Sequence, residues 1–326
     1  MYKAQKEDNQ MTETTREIFE KHEVRKTKKQ KKAFRDYLIS YANSQGYTAH
    51  TEKAGSHAEN VVVGDPTRAE VVYTAHYDTC AVMPMPNFIT PKCIPIYVIY
   101  QLVLSLVVYI IPISLMIGAY HVLNATDSNA LYALTFVSSY IVLLLFTYLL
   151  IAGPANKHTA NDNTSGVTLL IDIMSDMPAE LRDKAAFIFF DLEEMGMIGS
   201  KGYASRHKTL AKNINVINFD CVSDGKSILF AVKKKAQDLI PNLKEAFKED
   251  GTYNIEIATS GVFYPSDQMN FNRGVGVAAL NKTKRGLLYM NKIHTPRDTV
   301  YDEDNITFLK NGAIRLTEIL SDKTVK

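Results

Sequence analysis

Cysteine is scarce in this sequence, and neither sign of charge dominates it. The three cysteines, Cys80, Cys93 and Cys221, are odd in number and do not lie at a spacing typical of metal ligands. They therefore argue against a disulfide framework and a cysteine-based zinc site, and they fit a reducing compartment. The formal net charge is +2, from 37 basic and 35 acidic residues, so the sequence lacks the global basic excess that recruits nucleic acid. We expect no nucleic-acid partner.

The first twenty residues lack an apolar run and carry charged side chains from Lys3 to Glu17. We therefore expect no signal peptide there. A basic run, RKTKKQKK at 25–32, leads into a helical pattern that places Phe34 and Leu38 on one face. This run either lies against anionic lipid headgroups or forms the solvated start of an amphipathic helix.

Apolar runs typical of strands alternate with stretches of helical periodicity along most of the chain. The predicted strands are 60–63, 70–75, 186–190, 216–219, 227–232 and 276–280. The predicted helices are 166–174, 200–212, 235–248 and 306–321. In the last of these, Leu309, Ala313, Leu316 and Leu320 form an apolar stripe. The pattern predicts an α/β fold, a three-layer sandwich around a mixed, mostly parallel central sheet.

Charge is almost missing from the middle of the chain, where Asp127 is the only formally charged residue between Lys92 and Lys157. Two apolar blocks, 96–120 and 131–152, flank it. Each block reaches the roughly 20 residues needed to cross a hydrocarbon core about 30 Å thick. We therefore predict a transmembrane helical hairpin. A soluble hydrophobic lid or a dimerisation hairpin is the alternative.

This hairpin, residues 93–153, divides the chain into two parts. Residues 1–92 hold an N-terminal helix and the first part of the α/β domain, and residues 154–326 hold the remainder. We expect contact with the lipid bilayer through residues 94–152. The connecting segment 121–130 contains no Lys or Arg, whereas basic residues lie at the other end of both spans. The positive-inside bias then predicts an integral membrane protein with its α/β domain on the cytoplasmic side.

Polar residues end two of the predicted strands. His76 and Asp78 follow one strand in YTAHYDT, and Asp220 ends another in VINFDCVSDG. In open α/β sheets such positions usually present ligands. A carboxylate two residues from a histidine can orient its imidazole while the other ring nitrogen binds a metal. A hydrogen-bonded structural histidine is the alternative for an isolated pair.

Three further segments supply acidic or imidazole groups. Asp162 lies in ANDNTSG just before a helix, where helix capping would also explain it. Glu193 and Glu194 follow a strand in FFDLEEMGMIGS, an arrangement that suits one metal ligand and one general base. His294 lies in IHTPRDT near the last helix. Histidine and carboxylates without thiolates fit catalytic zinc, and Mn²⁺ or Co²⁺ accept the same ligands.

The ordered set AHYDT, ANDNTSG, DLEEMG, NFD and HTPRDT resembles the M28 family of co-catalytic zinc aminopeptidases. The resemblance covers nearly all of the chain outside the hairpin and the N-terminal thirty residues. It implies a zinc-exopeptidase fold, peptide substrates and two Zn²⁺ ions. It also implies Asp162 as the bridging ligand, Glu194 and His294 on one metal, and His76 and Asp220 on the other.

The same resemblance implies that Glu193 is the general base, that Asp78 orients His76 and that the Asp162–Asn163 peptide bond is cis. The family usually has a short connection where this chain carries the hairpin. It also often has Ser-Asp-His where this chain has Ser266, Asp267 and Gln268. We expect Ser266 and Asp267 to persist as cleft or helix-start residues. The activity implied is removal of N-terminal residues from peptides.

Three alternatives to an aminopeptidase remain open at this stage. A glutaminyl cyclase resembles the family and uses a single zinc, so metal stoichiometry separates it from the peptidase. A carboxypeptidase of related build differs in which blocked terminus abolishes turnover. A non-catalytic binding domain of the same fold would be expected to lack ligands that this sequence retains.

Overall fold

The computed structural model describes residues 11–55, 57–83, 85–124, 129–248 and 251–324, so Asp127 lies outside the described residues. The helices are α1 Glu13–Lys21, α2 Lys28–Ser44, α3 Ile94–Asn124, α4 Asn129–Ala152, α5 Ser165–Asp176, α6 Ile198–Arg206, α7 Lys208–Asn213, α8 Ile240–Ala246 and α9 Glu303–Thr324. The strands are β1 Ala49–Ala54, β2 Ala58–Val63, β3 Val71–His76, β4 Ala185–Phe190, β5 Asn215–Phe219, β6 Ser227–Val232, β7 Asn254–Ala258, β8 Arg273–Lys282 and β9 Leu288–Tyr289.

The strands form one mixed sheet in the order β1-β2-β4-β3-β5-β8-β6-β7, with β9 paired to β8. The four central strands β4, β3, β5 and β8 run parallel, and antiparallel pairs flank them on both sides. The carboxyl ends of the central strands therefore meet at one edge of the sheet. This edge is where open α/β sheets bind ligands.

Side chains alternate between two helical layers along each buried strand, as the period of two in a strand requires. Val71 and Tyr73 face a core that includes α1, α2, α5, α8 and α9. Val72, between them, faces a second core with Tyr203 of α6 and Ala211 of α7. The predicted three-layer α/β sandwich is confirmed.

Local sequence explains several helix boundaries. Thr27 caps α2, because its Oγ1 accepts a hydrogen bond from the Gln30 backbone N–H at 3.2 Å and Gln30 Oε1 accepts one from the Thr27 N–H at 2.9 Å. The single helix predicted at 200–212 is broken at His207 into α6 and α7. Pro241 lies in the first turn of α8, where a missing N–H has no cost.

Three strands were not predicted. β1 has exposed or partly buried side chains except for buried Ala54, all side chains of β7 are partly buried, and β9 has only two residues. Their side chains do not form the apolar runs that marked the other strands. Pairing with a neighbouring strand, rather than local composition, defines them.

The hairpin consists of α3 and α4, which contact each other. Its candidate membrane spans are Ile94–Val122 and Asn129–Leu149, with mean hydropathy 2.5 and 2.0. Only 12% and 6% of their most apolar windows are buried, so these are not core helices of the sandwich. Length and composition are thus sufficient to cross a membrane, and they give no orientation.

The basic run 25–32 does not form one continuous exposed surface. The hypothesis that it lies against anionic lipid headgroups is therefore wrong for two of its residues. Arg25 is fully buried, and Lys31 is buried with its Nζ 2.6 Å from Asp191 Oδ1. Lys28, Lys29 and Lys32 are the exposed lysines of the run.

Replacing Leu316 by Ala should lower the free energy of unfolding by about 2–5 kcal/mol, because it leaves a cavity in the core between α9 and the sheet. Denaturant unfolding in detergent measures the change. Glu318→Ala, two residues along on the exposed side of α9, is the control and should leave stability nearly unchanged. Equal losses in the two variants would contradict this assignment of the core.

Candidate active site

Strand register brings the predicted polar residues to one edge of the sheet. His76, the last residue of β3, pairs with Phe190 at the end of β4, so Glu193 and Glu194 follow just beyond it. Thr74 pairs with Asn218 of β5, which puts Asp220 level with His76. Asp162 and His294 come from loops that cross the same edge.

Asp162 lies at the centre of the cluster, and its two carboxylate oxygens face different partners. Oδ1 is 3.2 Å from His76 Nε2, which is also 3.6 Å from Asp220 Oδ1. Oδ2 is 2.9 Å from His294 Nε2, which is also 3.2 Å from Glu194 Oε2. The five predicted ligands thus form two groups that share one carboxylate.

The loop that carries Asp162 is held by the segment that follows His294. The two carboxylate oxygens of Asp298 accept hydrogen bonds from the backbone N–H groups of Asn161 and Asp162, at 2.9 and 3.0 Å. The Asp162–Asn163 peptide bond is cis, as the resemblance implied. The motifs ANDNTSG and HTPRDT, distant in sequence, therefore bind each other directly.

Asn163 fastens the same loop to the end of β5. Its Oδ1 accepts hydrogen bonds from Gly166 N at 3.0 Å and Cys221 N at 3.2 Å, and its Nδ2 donates to Phe219 O at 3.0 Å. A Cβ at Gly166 would lie 2.4 Å from Phe219 O and 2.5 Å from Asn163 Oδ1. Only glycine permits this approach between the start of α5 and the strand end.

Asp78 contacts both the loop that carries Glu193 and Glu194 and the imidazole of His76. Its carboxylate accepts hydrogen bonds from the backbone N–H groups of Glu193 and Glu194, at 3.0 and 3.3 Å. The same carboxylate is 3.5 Å from His76 Nδ1, whose nearer partner is the Asp78 carbonyl at 3.1 Å. Sequence reasoning assigned Asp78 only to the imidazole. Its contact with the glutamate loop emerges from the tertiary structure.

The sequence model of the M28 peptidases matches residues 147–318, more than half of the chain. The chain belongs to peptidase family M28. The match contains Asp162, Glu193, Glu194, Asp220 and His294, whereas His76 and Asp78 precede it. Family membership supports a metal-dependent, peptidase-like function, with peptides as substrates.

Solved structures share the fold of this M28 chain at low sequence identity. An aminopeptidase of Legionella pneumophila, LapA, aligns with a TM-score of 0.55 and 14% identity over 98% of this chain and 76% of its own. A glutaminyl cyclase of Porphyromonas gingivalis aligns at 0.56 and 16%, over 94% and 95%. A leucine aminopeptidase precursor of Bacteroides thetaiotaomicron aligns at 0.53 and 14%, over 93% of both chains. A comparison with curated protein sequences finds no match.

Negative charge outweighs positive charge in the M28 site. Burial raises the pKa of Glu194 to about 8 and that of Glu193 well above its usual range. Burial acts to lower the pKa of His294, but the carboxylates of Glu194 and Asp162 outweigh it and raise that pKa to about 9. Carboxylates crowded in a buried site repel one another unless cations compensate them.

One carboxylate oxygen of Glu194 indicates whether a metal could bind in this M28 site. Glu194 Oε1 is buried and has no hydrogen-bond partner within the described part of the chain. Buried oxygens without a partner are rare in proteins, and a bound cation would satisfy this one. The donor set consists of imidazole and carboxylate, which suits zinc and related divalent ions. The residues present therefore fit metal binding.

Arg25 is a residue of the M28 site that the sequence pattern does not reveal, because it lies within the basic run 25–32. Its guanidinium donates hydrogen bonds to the carbonyl of Tyr77 and, at 3.1 Å, to Thr164 Oγ1. It also lies 5.2 Å from the ring centroid of Phe34. Burial lowers the pKa of Arg25 to about 10, so it remains a cation at neutral pH. It joins the end of β3 to the Asp162 loop.

Cys80 also lies closer to the site than its sequence spacing indicated. Its Sγ, one oxygen of Glu194 and one nitrogen of His294 lie within 4.8 Å of one another. Burial raises the pKa of the Cys80 thiol well above its usual range. Cys80 therefore forms part of the wall beside the Glu194 and His294 group.

The stretch at 266–268 packs beside the centre. The Gln268 side chain accepts a hydrogen bond from Asn218 Nδ2 at 3.1 Å and donates one to the carbonyl of Tyr264 at 2.7 Å. Ser266 Oγ accepts a second bond from Asn218 Nδ2 at 3.0 Å. Asp267 is fully buried, and burial raises its pKa to about 7. Through its hydrogen bond with Asn218, Gln268 helps to pack this stretch against β5.

Adding zinc to the metal-free protein should raise its Tm, because cations would relieve repulsion among the buried carboxylates. At about 100 times Kd the stabilisation is about 2.7 kcal/mol. Asp162→Ala should remove most of this shift, since it takes away the carboxylate common to both groups. The exposed Asp183→Ala is the matched control and should keep the shift. An unchanged Tm in the wild-type chain would contradict metal binding.

Proposed function

We propose that this M28 chain is a two-zinc aminopeptidase. His76 and Asp220 would hold one ion, and Glu194 and His294 would hold the other. Asp162 would contribute a ligand to both ions. The observation that carries this proposal is that the two carboxylate oxygens of Asp162 face different histidines. Oδ1 lies 3.2 Å from His76 Nε2, and Oδ2 lies 2.9 Å from His294 Nε2. A single-metal site would not require a carboxylate placed between two complete donor groups.

Two bound ions would lower the pKa of the attacking water and polarise the scissile carbonyl. In the proposed mechanism, the Glu193 carboxylate would accept a proton from the attacking water and return it to the leaving amine. Asp78 fixes the glutamate loop through the Glu193 and Glu194 N–H groups, so the base and the ligand keep their relative positions. Arg25 and Asp298 hold the Asp162 loop against the strand ends.

Glu193→Gln should lower kcat by about 10²–10⁴-fold while leaving metal content unchanged, because the amide cannot accept the proton. Metal analysis and turnover of free-amino and N-blocked aminoacyl amides measure the two effects. Glu180→Gln, on an exposed turn, is the control.

The outcomes of this assay separate the candidate functions. Two ions per chain and turnover of free-amino substrates alone support the aminopeptidase. One ion with ring closure of N-terminal glutamine would identify a cyclase, the activity named for one structural neighbour. Cleavage that survives N-blocking and fails with a blocked carboxyl terminus would identify a carboxypeptidase. A chain without metal or turnover would be a binding domain.

We also propose that residues 93–153 form a transmembrane hairpin, with the catalytic domain, 1–92 and 154–326, on the cytoplasmic side. The exposure of α3 and α4 supports insertion, since a large apolar surface facing water is unfavourable. The absence of Lys and Arg from 121–130 supports the orientation.

The full-length chain should stay with membranes after alkaline carbonate washing, because its hairpin would be held by hydrocarbon burial. Trypsin should digest the catalytic domain in inverted vesicles and spare it in right-side-out vesicles. A soluble periplasmic protein and a known integral protein serve as controls. Release by carbonate would overturn insertion, and digestion in right-side-out vesicles alone would reverse the orientation.

A further inference from the structure

A cavity of about 230 Å³ adjoins the candidate active site on the side of the hairpin. Glu194 and His294 form one wall of it. Gln101 and Leu104, from the hairpin helix α3, form part of the opposite wall. The space therefore lies between proposed metal ligands and a segment outside the α/β sandwich.

The first turns of α3 are the part of that helix turned toward the catalytic domain. Tyr97, Tyr100, Gln101 and Leu104 are half-buried, at the spacing of one helical face. Leu102 lies on the other side and is 64% exposed. Beyond Leu104 the large apolar side chains of α3 are mainly exposed. The helix thus has a short segment that lines the cavity and a long segment that projects away from it.

Several contacts fix the base of α3 to the catalytic domain. Met83 N–H donates a hydrogen bond to the carbonyl of His294 at 2.7 Å, which joins the chain leading to α3 directly to a proposed ligand. The rings of Tyr97 and Phe263 lie 5.7 Å apart. Ile89 and Met290 exchange two backbone hydrogen bonds of 3.0 Å. The position of the Leu104 side chain is therefore determined by the catalytic domain as well as by the hairpin.

The size of the cavity matches one amino-acid side chain. It exceeds the engineered cavity of about 150 Å³ that accepts benzene, and it is smaller than the roughly 300–1,000 Å³ of pockets for drug-sized ligands. Ala81, Met83 and Leu104 contribute apolar walls. Gln101 and Asn87, two uncharged polar residues of the lining, bind each other, because Gln101 Nε2 donates a hydrogen bond to Asn87 Oδ1 at 3.1 Å.

Among the described residues that line the cavity, only the proposed ligands Glu194 and His294 have acidic or basic side chains. With both of these groups engaged by the proposed ion, a charged substrate side chain would enter without a counter-ion of its own, and its partial loss of water would be unfavourable. An uncharged, medium-sized side chain would meet Met83 and Leu104 with no such cost.

We propose that this cavity is the specificity pocket for the first residue of the substrate, that Leu104 of the hairpin sets its depth, and that it selects uncharged side chains of the size of leucine or methionine. The proposal rests on the proposed aminopeptidase function. It makes the hairpin a part of the substrate site in addition to any role in a membrane.

Leu104→Trp should fill the cavity and reduce kcat/KM for leucine and methionine amides by roughly tenfold or more, the scale of discrimination in apolar pockets. Alanine amide should lose much less, because its side chain does not reach the pocket floor. Leu104→Ala should shift preference in the opposite direction, toward phenylalanine amide. Leu102→Trp, on the exposed side of the same helix, is the matched control and should leave the preference unchanged.

Binding provides a readout that does not require turnover. In the zinc-loaded Glu193→Gln protein, calorimetry should give a lower Kd for leucine hydroxamate than for glycine hydroxamate, and Leu104→Trp should remove that difference. Loss of binding in equal proportion for both compounds, or the same effect from Leu102→Trp, would overturn the pocket assignment. If the wild-type chain turns over no aminoacyl amide but the Leu104-dependent binding persists, the aminopeptidase proposal fails and the pocket stands.

Discussion

The structure depends on a single buried carboxylate, that of Asp162, held between two imidazoles at the carboxyl edge of a parallel sheet. The backbone at Asp162 and Asn163 departs from helical geometry inside a short turn, and side chains from other segments fix its position. Asp298 binds the loop through two backbone N–H groups, and Asn163 binds it to the end of β5. Each strand-end loop is thus fixed by a side chain from another segment.

Like charges in a buried site make this arrangement unfavourable by itself. The folded chain offsets part of the repulsion with the Arg25 guanidinium and with backbone N–H donors to Asp78 and Asp298. Burial, together with the neighbouring carboxylates, raises the pKa of both Glu193 and Glu194, so protein groups alone do not stabilise their charged forms. A bound divalent cation would stabilise those charged forms, which would link the stability of the domain to its proposed chemistry.

The hairpin lies between β3, which supplies His76, and the loop that supplies Asp162. Because both of its ends emerge beside the candidate active site, its first helical turns lie against the proposed ligands Glu194 and His294. Insertion at this point leaves the ligand order unchanged and adds a wall that the α/β sandwich alone does not have. The hydrogen bond from Met83 to His294 shows how closely the two parts are joined.

The sequence by itself determined the α/β class, the buried strands, the apolar stripe of α9, the two hairpin helices and the residues offered as ligands, because these follow from local periodicity and from residue chemistry. It did not predict that Arg25 is buried beside the site, that Asp78 binds the glutamate loop, or that Cys80 lies near His294. Those features arise where segments far apart in sequence meet, and no local pattern encodes them. Only the tertiary structure decided that Asp162 faces two donor groups and that Leu104 lines a cavity, since both depend on how the strand ends and the hairpin pack together.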